Sequence, residues 1–130
     1  MPQKTPIILP NVEPPKSPYS AGIVCGDMVF VSGQGPIDVA TRKITGTTIE
    51  EQVELTIKNV ERILQAAGCS LNDVVKSTVH LLDMQDFDRF NAVYRKFFKE
   101  PFPARTTVQS VLWGGILVEI DVIAIKGASN

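Results

Sequence analysis

Histidine occurs once in the 130-residue chain, at His80, and cysteine twice, at Cys25 and Cys69. A structural zinc takes four Cys or His ligands at characteristic spacings, and two unpaired cysteines with one histidine cannot supply them. Nothing near His80 in sequence completes a catalytic triad, so it reads as a half-exposed or interface residue. The net charge is only -1, which leaves no basic footprint for nucleic acid or an anionic membrane surface. No apolar run approaches the roughly 18 residues of a membrane span. The N-terminal MPQKTPIILPNVEPP lacks both the apolar core of a secretory signal and the arginine-rich character of a transit peptide. The expected setting is cytoplasmic, with both cysteines reduced and acting as small packing residues.

What is present is ordinary for a globular chain: 44% hydrophobic and 21% charged residues. One domain over residues 1–130 is expected. Pro6-Ile7-Ile8-Leu9 reads as a short first strand, and the proline-rich residues 10–18 as an extended segment. Residues 20–25 and 28–32 read as a hairpin turning at Gly26-Asp27. Gly33-x-Gly35 follows, but with no lysine or helix behind it this is a tight loop and not a phosphate-binding loop. Ile49, Val53, Ile57, Val60, Leu64 and Ala67 form one stripe of a helix over residues 49–67, with Thr48 as N-cap and Gly68 beyond its end. Val75, Ser77, Val79 and Leu81 share one face of a strand over residues 74–82, and Lys76, Thr78 and His80 the other. In a second helix over residues 86–98, Phe87, Phe90, Tyr94 and Phe97 recur at helical spacing as a core stripe. Asn91 lies beside it.

The chemistry is concentrated near the C-terminus. Arg105 opens a strand, Arg105-Thr106-Thr107-Val108-Gln109, and Glu119 lies in the next, Leu117-Val118-Glu119-Ile120-Asp121-Val122. A guanidinium is a planar fork suited to a carboxylate, and a half-buried carboxylate can hold or polarise a water. Together they point to a pocket for a small organic acid. The two strands read as a closing hairpin. If odd positions pair with odd, Arg105 and Glu119 face the same side. A structural ion pair between the two is the plainer alternative.

Ser17-Pro18-Tyr19-Ser20, Val31-Ser32-Gly33-Gln34, Gln52, Asn59, Ala67-Gly68, Val74-Val75-Lys76, Phe87 with Asn91 and Tyr94, Pro103-Ala104-Arg105 and Val118-Glu119-Ile120 occur in an order and spacing that resembles the reactive intermediate deaminase (RidA, YjgF-like) family. The resemblance runs from about Ile7 to Ala124. It implies an α+β, chorismate-mutase-like mixed sheet with two helices on one face. It implies a homotrimer with a central barrel and a site in each cleft between subunits. The implied activity is hydrolysis of 2-imino or enamine acids such as 2-iminopropanoate and 2-iminobutanoate to 2-oxo acids and ammonia, with no metal or organic cofactor. The implied alternatives are a 2-oxo-acid-binding regulator, a chaperone-like role, or a translation-inhibiting ribonuclease. By position, Arg105 and Glu119 would be catalytic, and Tyr19, Ser32, Gly33, Asn91, Arg105 and Thr107 would bind substrate. The chain departs from the family pattern at Thr107, where cysteine is common. It departs again at Trp113-Gly114-Gly115, which replaces a Leu-Pro turn. Trp113 reads first as a packing anchor, with narrowing or capping of the pocket as the alternative.

Overall fold

The computed structural model describes residues 2–129. Eight main elements follow one another along the chain: β1 (Thr5–Pro6), β2 (Gly22–Cys25), β3 (Met28–Gln34), α1 (Ile49–Ala66), β4 (Val74–Leu81), α2 (Phe87–Phe97), β5 (Ala104–Gln109) and β6 (Val118–Ile125). The six strands form one mixed sheet in the order β1-β2-β3-β6-β4-β5. Only β4 and β5 run parallel. A parallel pair needs a crossover, and α2 supplies it. The fold is the expected α+β class, a mixed sheet packed by two helices.

The first hairpin closes through Gly26-Asp27, with Gly26 at φ 61° where a side chain would be strained. Helix α1 starts on a reciprocal cap: the Glu51 amide donates to Thr48 Oγ1 at 3.1 Å, and the Thr48 amide donates to Glu51 Oε1 at 3.3 Å. Val29, Val31, Val79, Leu81, Val118, Ile120, Val122 and Ala124 of the sheet are buried against Val53, Ile57, Val60 and Leu64 of α1 and Phe90 of α2. Each such aliphatic side chain contributes about 1.5–3 kcal/mol on burial. Both cysteines are free thiols.

Two expectations are corrected. The last two strands are not a hairpin, because β4 lies between β5 and β6. The physical reason lies in their composition. β6 buries every second residue and takes the centre of the sheet, whereas the polar β5 takes an edge. Val75 is also not on the buried face. A register shift between Val74 and Lys76 turns it outward, leaving it 38% exposed.

Among the apolar residues of α1 sits Gln52, itself buried. Its Nε2 donates to Gly46 O at 3.0 Å, and its Oε1 accepts the Leu117 amide at 2.8 Å. It therefore ties the loop before α1 to the start of β6. Gln52→Ala is expected to lower stability by about 1–3 kcal/mol, since two backbone groups lose their partner. Thermal unfolding at fixed protein concentration checks this, and an unchanged midpoint contradicts it.

Candidate active site

Arg105 projects from the edge strand on the helix-covered face. Its register partner is Ser77, whose own partner across the sheet is Val122, and both of these are buried. The guanidinium carbon lies 4.9 Å from the ring centre of Tyr94, 5.4 Å from that of Phe90 and 5.6 Å from that of Phe87. Ring faces attract a cation by about 0.5–2 kcal/mol without occupying its hydrogen-bond donors. Tyr94 is fixed by a 2.8 Å hydrogen bond between its hydroxyl and Ser77 Oγ. Burial pushes its phenol up from the ordinary value, against the Ser77 bond and the charge of Arg105, so it stays neutral.

In front of Arg105 is a cavity of about 340 Å³, lined also by Asn91, Arg95, Phe102 and Pro103. Arg95 stands over Phe102 at 5.6 Å. Among the described residues neither arginine forms an ion pair. Two positive charges border this space, and no carboxylate is among its lining residues, so the local potential favours an anion. Thr107, two residues along the same strand face, has a buried Oγ1 with no hydrogen-bond partner. It lines a neighbouring hollow with Met84, Phe87 and Asp88.

Glu119 lies on the other face of the sheet, away from the helices. Its register partner is His80, itself paired with the exposed Val108. An open cavity of about 570 Å³ is lined by Glu119, Gly33, Ser32 and Asp121 together with three aromatic rings, Tyr19, Phe30 and Trp113. Gly33 is required by space and not by φ. A Cβ there would come within 2.7 Å of Glu119 Oε2 and 2.9 Å of its carboxyl carbon. Ser32 Oγ donates to Ser20 O at 2.6 Å and so fixes the segment that carries Tyr19. Burial pushes the Asp121 carboxyl up, against the opposing influence of His80 and Lys76. His80 is half-buried, with Nδ1 2.8 Å from Ser110 Oγ.

The family model described as Endoribonuclease L-PSP matches residues 11–126. The chain is 50% identical over 113 residues to a RutC family protein of Saccharolobus solfataricus, covering 86% of this chain and 90% of that one. It is 37% identical over 111 residues to the human protein named 2-iminobutanoate/2-iminopropanoate deaminase, covering 85% and 81%. Escherichia coli TdcF, solved with bound serine, superposes with a TM-score of 0.86 at 35% identity, covering 95% of this chain and 99% of that one. The chain belongs to the RidA/YjgF family.

For this RidA-family chain, the expected site residues fall into two groups. Arg105, Asn91 and Thr107 lie on the helix side at the β5 edge. Glu119, Gly33, Ser32 and Tyr19 surround the open cavity on the other face. Within one chain, therefore, Arg105 and Glu119 do not face the same side, and they form no ion pair. The expectation of a shared face depended on the hairpin that β4 displaces. Trp113 is not a packing anchor either. It is 61% exposed, held outward by the turn in which Gly114 and Gly115 both take positive φ.

Two positioning residues of α1, Gln52 and Asn59, are not evident from its apolar periodicity. Asn59 Nδ2 donates to Gly35 O and Ile37 O, each at 2.9 Å, and so pins the loop that follows Gly33. Both stand among the residues that carry the family resemblance, and the physical signal for them is a pair of amides seven positions apart within an apolar helix. The Gly33 contact yields a direct test. Gly33→Ala is expected to fold and to push the Glu119 carboxylate from its place, because that flexible side chain yields before the backbone does. A crystal structure of the variant with Glu119 unmoved would contradict this.

Proposed function

We propose that the protein hydrolyses small 2-imino acids to 2-oxo acids and ammonia, at sites formed between subunits of a homotrimer. The observation that carries this reading is the unpaired Arg105 guanidinium, backed by aromatic rings and facing an open cavity. Family membership and the deaminase name of the human relative support it.

The geometry supports an intersubunit site. Arg105 lies at a sheet edge and Glu119 on the opposite, uncovered face. That face also exposes Met28, Phe30, Val108 and Ile125, each between 37% and 40%. An apolar sheet face of this kind needs covering, and a second copy supplies the cover. The edge of one subunit then brings its Arg105 to Glu119 of a neighbouring subunit. The central barrel of the family assembly is the closed form of this packing.

In the reaction, Arg105 grips the substrate carboxylate with two parallel hydrogen bonds, and the free Thr107 hydroxyl offers a further donor. Asn91 borders the same space. The imine carbon of the protonated substrate is already electrophilic, so no strong nucleophile is needed. Glu119 takes a proton from water as the oxygen attacks that carbon. The proton passes to nitrogen; Glu119 then takes the hydroxyl proton as the carbinolamine collapses, the C=O bond forms and the C–N bond breaks, and the ammonia leaves with that proton beside the 2-oxo acid. Tyr19, Ser32 and Gly33 shape the wall beside Glu119. Positioning supplies several kcal/mol, and the acid–base step a factor of roughly 100 to 10,000. None of these steps draws on a metal or organic cofactor.

The test generates 2-iminobutanoate in situ with an amino-acid oxidase and traps what remains with semicarbazide. The protein is expected to accelerate imine loss. Arg105→Lys keeps the charge but loses the fork, and is expected to lower kcat/KM by roughly 10- to 100-fold. Glu119→Gln is expected to lower kcat by roughly 100-fold or more with little change in KM. Binding of 2-oxobutanoate without turnover would instead make the protein a sensor of such acids. Light scattering is expected to give a trimer, and a monomer at all concentrations would remove the intersubunit site.

A further inference from the structure

A second cavity lies far from Arg105, under the proline-rich residues 9–15. It has a volume of about 160 Å³ and is walled by Leu9, Val12, Ile37 and Ile63. Arg42 and Arg62 both line it. Neither has a carboxylate partner among the described residues. Their contacts are to neutral acceptors: Arg42 donates to Glu13 O at 3.3 Å, and Arg62 to Asn59 Oδ1 at 2.7 Å. Asp38 feels the charge of Arg62, but its carboxylate is taken by the amides of Ala40 and Thr41. Glu13 is the one acid in the lining, and its backbone carbonyl, not its carboxylate, meets Arg42.

From this arrangement we infer that the cavity beneath residues 9–15 is a second ligand site, taking a small aliphatic monocarboxylate. The apolar walls receive the hydrocarbon tail, and the two guanidinia receive the carboxylate. Two forked cations against one acid leave the lining positive, and a carboxylate can accept from both. The volume restricts the tail to a few carbons.

The site is connected to the Glu119 cavity. Tyr19 lines both. Arg62 holds Asn59, which in turn holds the carbonyls of Gly35 and Ile37. A carboxylate that draws Arg62 from Asn59 therefore loosens the loop next to Gly33, whose missing side chain makes room for Glu119. Occupancy of the second site is thereby read at Glu119.

The experiment is calorimetric titration of the 130-residue protein with 4-methylpentanoate. Saturable binding is expected in the unaltered protein and also in Arg105→Ala. The double substitution Arg42→Gln with Arg62→Gln is expected to weaken it by roughly tenfold or more. Should the double variant fail to fold, Arg42→Gln alone carries the test, because Arg42 is exposed and the hydrogen bond of its side chain to Glu13 O is long. Acetate, which lacks the tail, is expected to bind much more weakly. The inference is overturned if 4-methylpentanoate does not bind at millimolar concentration. It is equally overturned if Arg105→Ala abolishes binding, if the Arg42 and Arg62 substitutions leave it intact, or if acetate binds as well. Because the readout is binding and not turnover, the deaminase reading can fail while this one holds, and the reverse.

Discussion

A guanidinium that rests on aromatic rings, with no acid among the described residues to neutralise it, is the constraint on which the rest of this molecule depends. Three side chains of α2 hold Arg105 from one side, and the buried hydroxyl pair of Tyr94 and Ser77 locks the nearest ring to the sheet. A cation is costly to withdraw from water unless something replaces the lost hydration. Ring faces replace part of it and leave the N–H donors for an incoming anion. The core and the anion receptor thus share residues: Phe90 is fully buried and is also part of the cradle.

The opposite face of the sheet is built differently. Its cavity is open, its acid is set by a glycine that leaves room, and its walls are residues of β3 and β6 with Tyr19 and Trp113 from the loops. Loops are usually the mobile part of a fold. Here the loops that adjoin β3 and β6 are held by two buried amides of α1, Gln52 at one end of the helix and Asn59 two turns later. The same helix stripe that packs the core therefore positions the backbone around Glu119. Trp113 adds an exposed ring to that wall through a turn with two positive-φ glycines.

Much of the architecture is legible in the residues themselves. Helix α1 lies where the Thr48 cap and Gly68 place it, and the first hairpin turns at Gly26-Asp27. The aromatic stripe of α2 is legible as core, but not as the cradle of Arg105. That role depends on β5, which reaches α2 only through the sheet. The expected hairpin of β5 and β6 does not form, because composition outweighs a short connection. Ala104-Arg105-Thr106-Thr107 is polar enough for an edge, whereas Val118, Ile120, Val122 and Ala124 demand a centre. Trp113 departs from expectation because large rings are usually buried, and no local pattern reports that a turn carries one outward.

Periodicity, caps and turn residues act over a few positions, so the chain alone determined its elements, its buried stripes and the identity of its reactive groups. Which face each reactive group occupies is a matter of strand order, and that was decided only by packing. β6 entered between β3 and β4 because the most apolar strand gains most from the middle of the sheet. That one insertion sent Arg105 to an edge on the helix side and Glu119 to the bare side.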